Sequence, residues 1–260
     1  MRRYWIAILS LTLFASPASA VDGTVVKSMD LSQPFGAHSA WRFMAAQGPE
    51  VSDPPSGAED KAPGTIHLCI SADNGQSCRP DLNRLLAPSG EADVFSDPHY
   101  LDDARIVRFR GDDRLLLLRV ASLHSANGDQ RTATVALAYD RGKDAFAPVY
   151  EKQTGRNNNQ EIRYVIDGPL QGAIISAEPT DDAPYAFWIT INKREPDRRY
   201  QQVLRFRSAT AYGDGNPLAV IDSEMPNIQK RLGLWHPGLP MPLPAGSCAR
   251  PHLLHNALWC

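Results

Sequence analysis

The chain has 260 residues, with 27 Lys and Arg against 29 Asp and Glu, a formal net charge of −2. Such a balance gives no bulk electrostatic drive toward nucleic acid or an anionic membrane, and the length suits one large or two small domains with a substantial core. Cysteine usage is sparse but even, with four residues: Cys69, Cys78, Cys248 and Cys260.

Residues 1–20, MRRYWIAILSLTLFASPASA, read as a cleaved secretory signal. Arg2 and Arg3 form a basic head, Tyr4 to Phe14 an apolar run, and Ala18-Ser19-Ala20 a small-residue cleavage site. The run falls short of the ~20 apolar residues that span a bilayer, so no membrane span is expected after cleavage. The segment carries two of the Lys and Arg residues and no acid, so residues 21–260 keep a net charge of about −4. The expected location is the periplasm or the outside of the cell. There an even cysteine count favours disulfides, and local pairing joins Cys69 to Cys78 and Cys248 to Cys260. No C-x-x-C spacing supports zinc.

The remainder reads as a single all-β domain. A degenerate first unit covers about 39–87, with "SAWRFMAAQ" and "TIHLCIS" as strands and the stretch around Cys78 as a further strand. In "DLNRLLA" (81–87), a short helix capped by Asp81 competes with that reading. Two sets of four strand signals follow, at 105–152 and 161–207. "RIVRFR", "LLLLRVASLH", "TVALAYD" and "FAPVYEK" form one set; "EIRYVID", "GAIISAEP", "FWITINK" and "YQQVLRFR" form the other. The offset between corresponding runs suggests tandem four-stranded antiparallel units, as propeller-like blades or stacked meanders, with a β-sandwich as the alternative. A helix is expected at about 223–232, capped by Asp222 or Ser223, with Met225, Ile228 and Leu232 on one face and Gly233 ending it. A Pro-rich tail, 235–260, then runs extended until the second disulfide pins it.

In an up-and-down meander alternate connections emerge at one end. Those loops are "SANGDQR", "TGRNNNQE", "EPTDDAPY" and "SATAYGDGN", all rich in Asn, Asp and Gly. They assign a binding rim to Asp129, Arg131, Arg156, Asn157, Asn158, Asn159 and Gln160, with Asp181 and Asp182 beside it. Side-chain amides offer donor and acceptor together, which suits sugar hydroxyls or peptide backbones. The arginines suit carboxylate or phosphate, and the carboxylates leave room for calcium. The same residues also serve plain turns.

No catalytic signature of the G-x-S-x-G, H-E-x-x-H or phosphate-loop kind occurs. Weak catalytic candidates are Glu161 and Glu178, as a glycosidase-like acid and base, and His124 at a strand end. His252 and His255 are placed on opposite faces of a strand, which argues against joint metal binding. The arginines of "RIVRFR" and "VLRFR" read as solvated outer faces. Composition and motifs therefore favour a non-catalytic exported protein that binds a glycan or other envelope component, with no cofactor. The alternatives are a secreted hydrolase using the rim carboxylates and an assembly protein with a protein partner.

Overall fold

The computed structural model describes residues 23–52, 60–86, 97–109, 111, 113–126, 128–154, 160–182, 184–244, 246 and 248–260. Residues 1–22, including the signal segment, lie outside the described residues.

The chain begins with β1 (Thr24–Asp30), a single helical turn α1 (Ser32–Phe35) and β2 (Arg42–Gln47). The short pair β3 (Val51–Ser52) and β4 (Lys61–Ala62) follows, and then β5 (Ile66–Ser71). Strands β1, β2 and β5 make a three-stranded sheet in that order. A meander comes next: β6 (Tyr100–Arg108), β7 (Arg114–His124), β8 (Gln130–Asp140) and β9 (Ala145–Thr154). A second meander has the same strand order: β10 (Glu161–Tyr164), β11 (Ile174–Pro179), β12 (Ala186–Arg194) and β13 (Tyr200–Ala211). Helix α2 (Val220–Arg231) and the hairpin β14 (His252–Leu254) and β15 (Ala257–Trp259) complete the chain. Among the described residues the fold is β-rich with one longer helix near the C-terminus and no closed barrel.

The sheets stack face to face. One core joins Phe43, Leu68 and Ile70 of the three-stranded sheet to Leu116, Leu118, Val135 and Leu137 of the first meander. The opposite face of that meander presents Leu115, Leu117, Ala136 and Tyr150 to Tyr164 and Ile174 of the second. The far face of the second meander, with Ile175, Ala177, Ile189 and Phe206, receives Ile221 and Ile228 of α2. Strands β7 and β8 are thus covered on both sides, which explains why "LLLLRVASL" shows no period-two alternation.

Several local expectations are corrected. Strand β1 was not anticipated, and β6 starts at Tyr100 because a bulge at Asp102 absorbs the two consecutive aspartates. The stretch around Cys78 is no strand, and residues 83–86 form turns where the competing helix was placed. This segment instead covers the outer edge of β5: Arg79 N–H donates to Ile70 O at 2.8 Å, and Leu68 N–H to Asn83 Oδ1 at 2.9 Å. Strand β13 runs to Ala211, so much of "SATAYGDGN" is strand rather than loop. Helix α2 starts at Val220, three residues before the expected position, and neither Asp222 nor Ser223 is its cap. Its end follows expectation: Gly233 adopts a left-handed backbone, with Gly233 N–H to Lys230 O and Leu234 N–H to Gln229 O.

The tail is not extended throughout. Its last residues form the β14–β15 hairpin, whose turn residues His255 and Asn256 both have positive φ, as a two-residue turn matched to strand twist demands. Both cysteine pairings are as expected, Cys69 with Cys78 and Cys248 with Cys260. Among the described residues no helix is long and apolar enough to cross a membrane.

Candidate functional site

Between the two meanders, strands β7 to β11 grade from apolar to polar in the same spatial direction. On the facing sides, β7 passes from Leu115 and Leu117 to Arg119, and β8 from Ala138 and Ala136 to Thr134 and Thr132. Strand β9 passes from Tyr150 to Lys152 and Thr154, and β11 from Ile174 to Ser176 and Glu178. Tyr164 and Ile162 of β10 lead outward to Gln160. Large side chains close the gap at one end, with Tyr150 against Tyr200 at 5.5 Å between ring centroids. At the other end short hydroxyl side chains leave space that packing does not fill.

The space takes the form of a groove with two lobes. The outer lobe, about 520 Å³, is lined by Arg131, Gln153, Gln160, Glu178, Asp181 and Tyr185, together with Thr154 and Thr180. The inner lobe, about 300 Å³, is lined by Asp102, Arg119, His124, Gln130 and Thr132, and shares Thr154 and Gln160 with the outer one. Cation and anion are matched along the walls. Lys152 Nζ lies 2.7 Å from Glu178 Oε1, bridging the two sheets, and Arg119 Nε lies 3.3 Å from Asp102 Oδ2. Burial raises the Asp102 carboxyl above its ordinary value, against the opposing pull of Arg119. Thr180 is only 6% exposed, and its hydroxyl has no hydrogen-bond partner among the described residues. Tyr185 stands at the rim, 43% exposed.

The expected rim residues meet different fates. Arg131 and Gln160 line the groove, as do Glu178 and Asp181. Gln160 Nε2 donates to Thr132 Oγ1 at 3.2 Å and to Gln130 O at 3.3 Å. Asp129 closes its own turn, its carbonyl accepting from Ser125 N–H at 2.8 Å, and Asp182 pairs with Arg207 at 3.1 Å. Arg156, Asn157, Asn158 and Asn159 lie outside the described residues.

Of the three catalytic candidates, Glu178 and His124 line the groove and Glu161 does not. Glu161 pairs across the sheet with Ala177, which belongs to the core beneath α2, so Glu161 faces the helix while Glu178 faces the groove. The Glu161 carboxylate is bound to Arg163 and accepts from Ile221 N–H at 3.1 Å, satisfying a donor at the start of α2. Glu161 and Glu178 therefore share no cleft. His124 lines the inner lobe, its ring edge-on to Tyr100 at 6.2 Å. His252 lies on the hairpin and His255 in its turn. Among the described residues no three His, Cys, Asp or Glu side chains converge as a metal site requires.

The arginines read as solvated faces are mostly partnered. Arg105 pairs with Asp103 at 3.0 Å, and the Arg205 guanidinium lies 4.5 Å from the centre of the Trp188 ring. Sequence reasoning missed Asp102, Arg119, Gln130, Thr132, Gln153, Thr154, Thr180 and Tyr185 as groove residues. The signal that finds most of them is the shared gradient at alternate positions along neighbouring strands. Compared with known protein families, curated proteins and solved structures, the chain matches none of them.

Proposed function

We propose that the protein is an exported, non-catalytic glycan-binding protein, and that the groove between the two meanders holds a neutral sugar chain. The observation that carries the reading is the common apolar-to-polar gradient, which opens both lobes at the loop-rich end. Amides, hydroxyls and carboxylates there offer mixed donors and acceptors, as sugar hydroxyls require. Tyr185 supplies an exposed ring whose apolar face suits the C–H face of a sugar. The Lys152–Glu178 and Arg119–Asp102 pairs leave little uncompensated charge, which favours a neutral ligand over a phosphate or carboxylate. Separation of Glu161 and Glu178 to opposite faces removes the acid–base pair that a hydrolase reading uses. Export follows from the basic-headed apolar segment at 1–20 and agrees with the two disulfides. The exported chain is then expected to begin at Val21, which intact mass measures.

The binding test is calorimetry and thermal unfolding with neutral chito-, cello-, malto- and xylo-oligosaccharides. A ligand at a hundred times its Kd adds ~2.7 kcal/mol, a Tm rise of roughly 5–11 °C at this size. Tyr185→Ala and Thr180→Val are each expected to weaken binding about tenfold, equivalent to ~1.4 kcal/mol. Absence of binding across the panel, or undiminished binding in both variants, would overturn the assignment.

A further inference from the structure

The two lobes of the groove differ in chemistry and are divided by a built feature. Thr132 and Thr154 face each other across β8 and β9 with hydroxyl oxygens 2.7 Å apart, and Gln160 Nε2 donates to the Thr132 hydroxyl at 3.2 Å. This hydrogen-bonded sill joins both sheets and lies at the junction, since Thr154 and Gln160 line both lobes. A single sugar ring on one side of it reaches only part of the groove.

We propose that the inner lobe is a second sugar subsite, which makes the ligand a chain of at least two neutral sugar residues lying across the sill. The inference rests on the glycan reading of the groove given above. The inner lobe, at about 300 Å³, falls at the small end of the range for ligand pockets. Among the described residues its lining includes no Phe, Tyr or Trp ring, unlike the outer lobe with Tyr185, so it binds through hydrogen bonds where the outer lobe stacks. The Asp102 carboxylate and Arg119 guanidinium lie side by side at 3.3 Å, an acceptor next to a donor, which matches neighbouring hydroxyls on one ring. Gln130 is held in place by its own bond to Ser122 O at 2.9 Å, and His124 stands beside it.

The wall behind the inner lobe supports the same assignment. A more enclosed chamber of about 40 Å³ shares Arg119 and Ile162 with it, and Thr134 lines this chamber. Thr134 is 4% exposed and its hydroxyl has no hydrogen-bond partner among the described residues, while Arg119 Nε is buried against Asp102 Oδ2 at 3.3 Å. The chamber has room for one or two waters, which can relay hydrogen bonds from these buried groups to a sugar in the inner lobe.

The test is calorimetry with three matched series: glucose with cellobiose and cellotriose, glucose with maltose and maltotriose, and N-acetylglucosamine with its β-1,4 dimer and trimer. In the series that binds, the disaccharide is expected to bind the parent protein at least tenfold more tightly than the monosaccharide. Asp102→Asn and His124→Ala, both lining the inner lobe, are each expected to shrink that step, the ratio of disaccharide to monosaccharide affinity, severalfold. Tyr185→Ala is expected to weaken both sugars. Unaltered thermal unfolding of His124→Ala guards against a folding effect. The subsite is overturned if the monosaccharide binds in a Tyr185-dependent way but the disaccharide gains nothing, or if the step survives both inner-lobe variants. If no sugar in any series binds the parent, the glycan reading of the whole groove falls, and the subsite with it.

Discussion

Asp73 sits inside the loop closed by Cys69 and Cys78, where its carboxylate gathers the turn. It accepts from the Ser71 hydroxyl at 2.5 Å, the Ser77 hydroxyl at 2.6 Å and Ser77 N–H at 2.9 Å. Those bonds, Ser71 foremost and then Ser77, lower its pKa from 3.8 to about 2. Asp144, in the turn between β8 and β9, is depressed in the same direction by the Ser39 and Tyr139 hydroxyls, with the Trp41 indole N–H at 3.0 Å. Three of its partners thereby tie the three-stranded sheet and the first meander to one turn. A carboxyl depressed by folding stabilises the native state above its unfolded pKa, and that contribution disappears as pH falls through the folded value. The stability of the parent is therefore expected to decline as pH drops from about 4 to about 2, with a shallower decline in Asp73→Asn and Asp144→Asn. Thermal unfolding across that range checks it, and parallel curves would remove these two groups from the account. Asp144 was legible in the sequence only as a turn residue, because its partners Ser39 and Trp41 lie more than a hundred positions away.

At the scale of elements, α2 shows how a helix is fixed by its surroundings. Its N-cap is Ala219, which supplies no side-chain cap, and Pro226 removes a backbone donor from its interior. Tertiary contacts offset both deficits. Glu161 accepts from Ile221 N–H, while Asp222 in the first turn pairs with Arg163 of β10. Glu224 is fully buried and accepts from Ala209 N–H at 3.0 Å, Thr210 N–H at 3.1 Å, the Thr210 hydroxyl at 2.9 Å and Asn227 Nδ2 at 2.9 Å. Glu224→Ala leaves those donors buried without a partner and is expected to cost about 3 kcal/mol. At this size that is a Tm drop of roughly 6–12 °C, with Glu224→Gln losing less. A drop below about 2 °C in Glu224→Ala would show that the carboxylate does not fasten α2 to β13. The apolar face at Met225, Ile228 and Leu232 and the stop at Gly233 were readable from spacing. The start was not, because its stabilising groups sit on strands more than fifty residues earlier.

For the whole molecule, the two meanders were visible as strand signals because short apolar runs, rich in β-branched, aromatic and leucine residues, alternate with turn residues. Their stacking explains a pattern that the sequence shows but does not decode: β7 is apolar on both faces until Arg119. The rim residues, chosen from polar loops that share one end of the meanders, divided between groove and turn chemistry, since Arg131 and Gln160 line the cavity while Asp129 closes a turn. Residues such as Thr132, Thr154 and Asp102 escaped notice because a strand-end threonine or a bulged aspartate is unremarkable until the opposing sheet is in place. The proposed function thus rests on the space between the sheets, in the direction along which their facing side chains turn polar.

The most direct measurement is amide hydrogen exchange of the disulfide-intact protein, with and without a saturating neutral oligosaccharide from the binding panel. The account predicts slower exchange in peptides covering 130–132, 152–154 and 178–185, with 220–231 and 252–259 unchanged. Protection confined to α2 or the C-terminal hairpin, or no protection at the groove under saturating ligand, would contradict it.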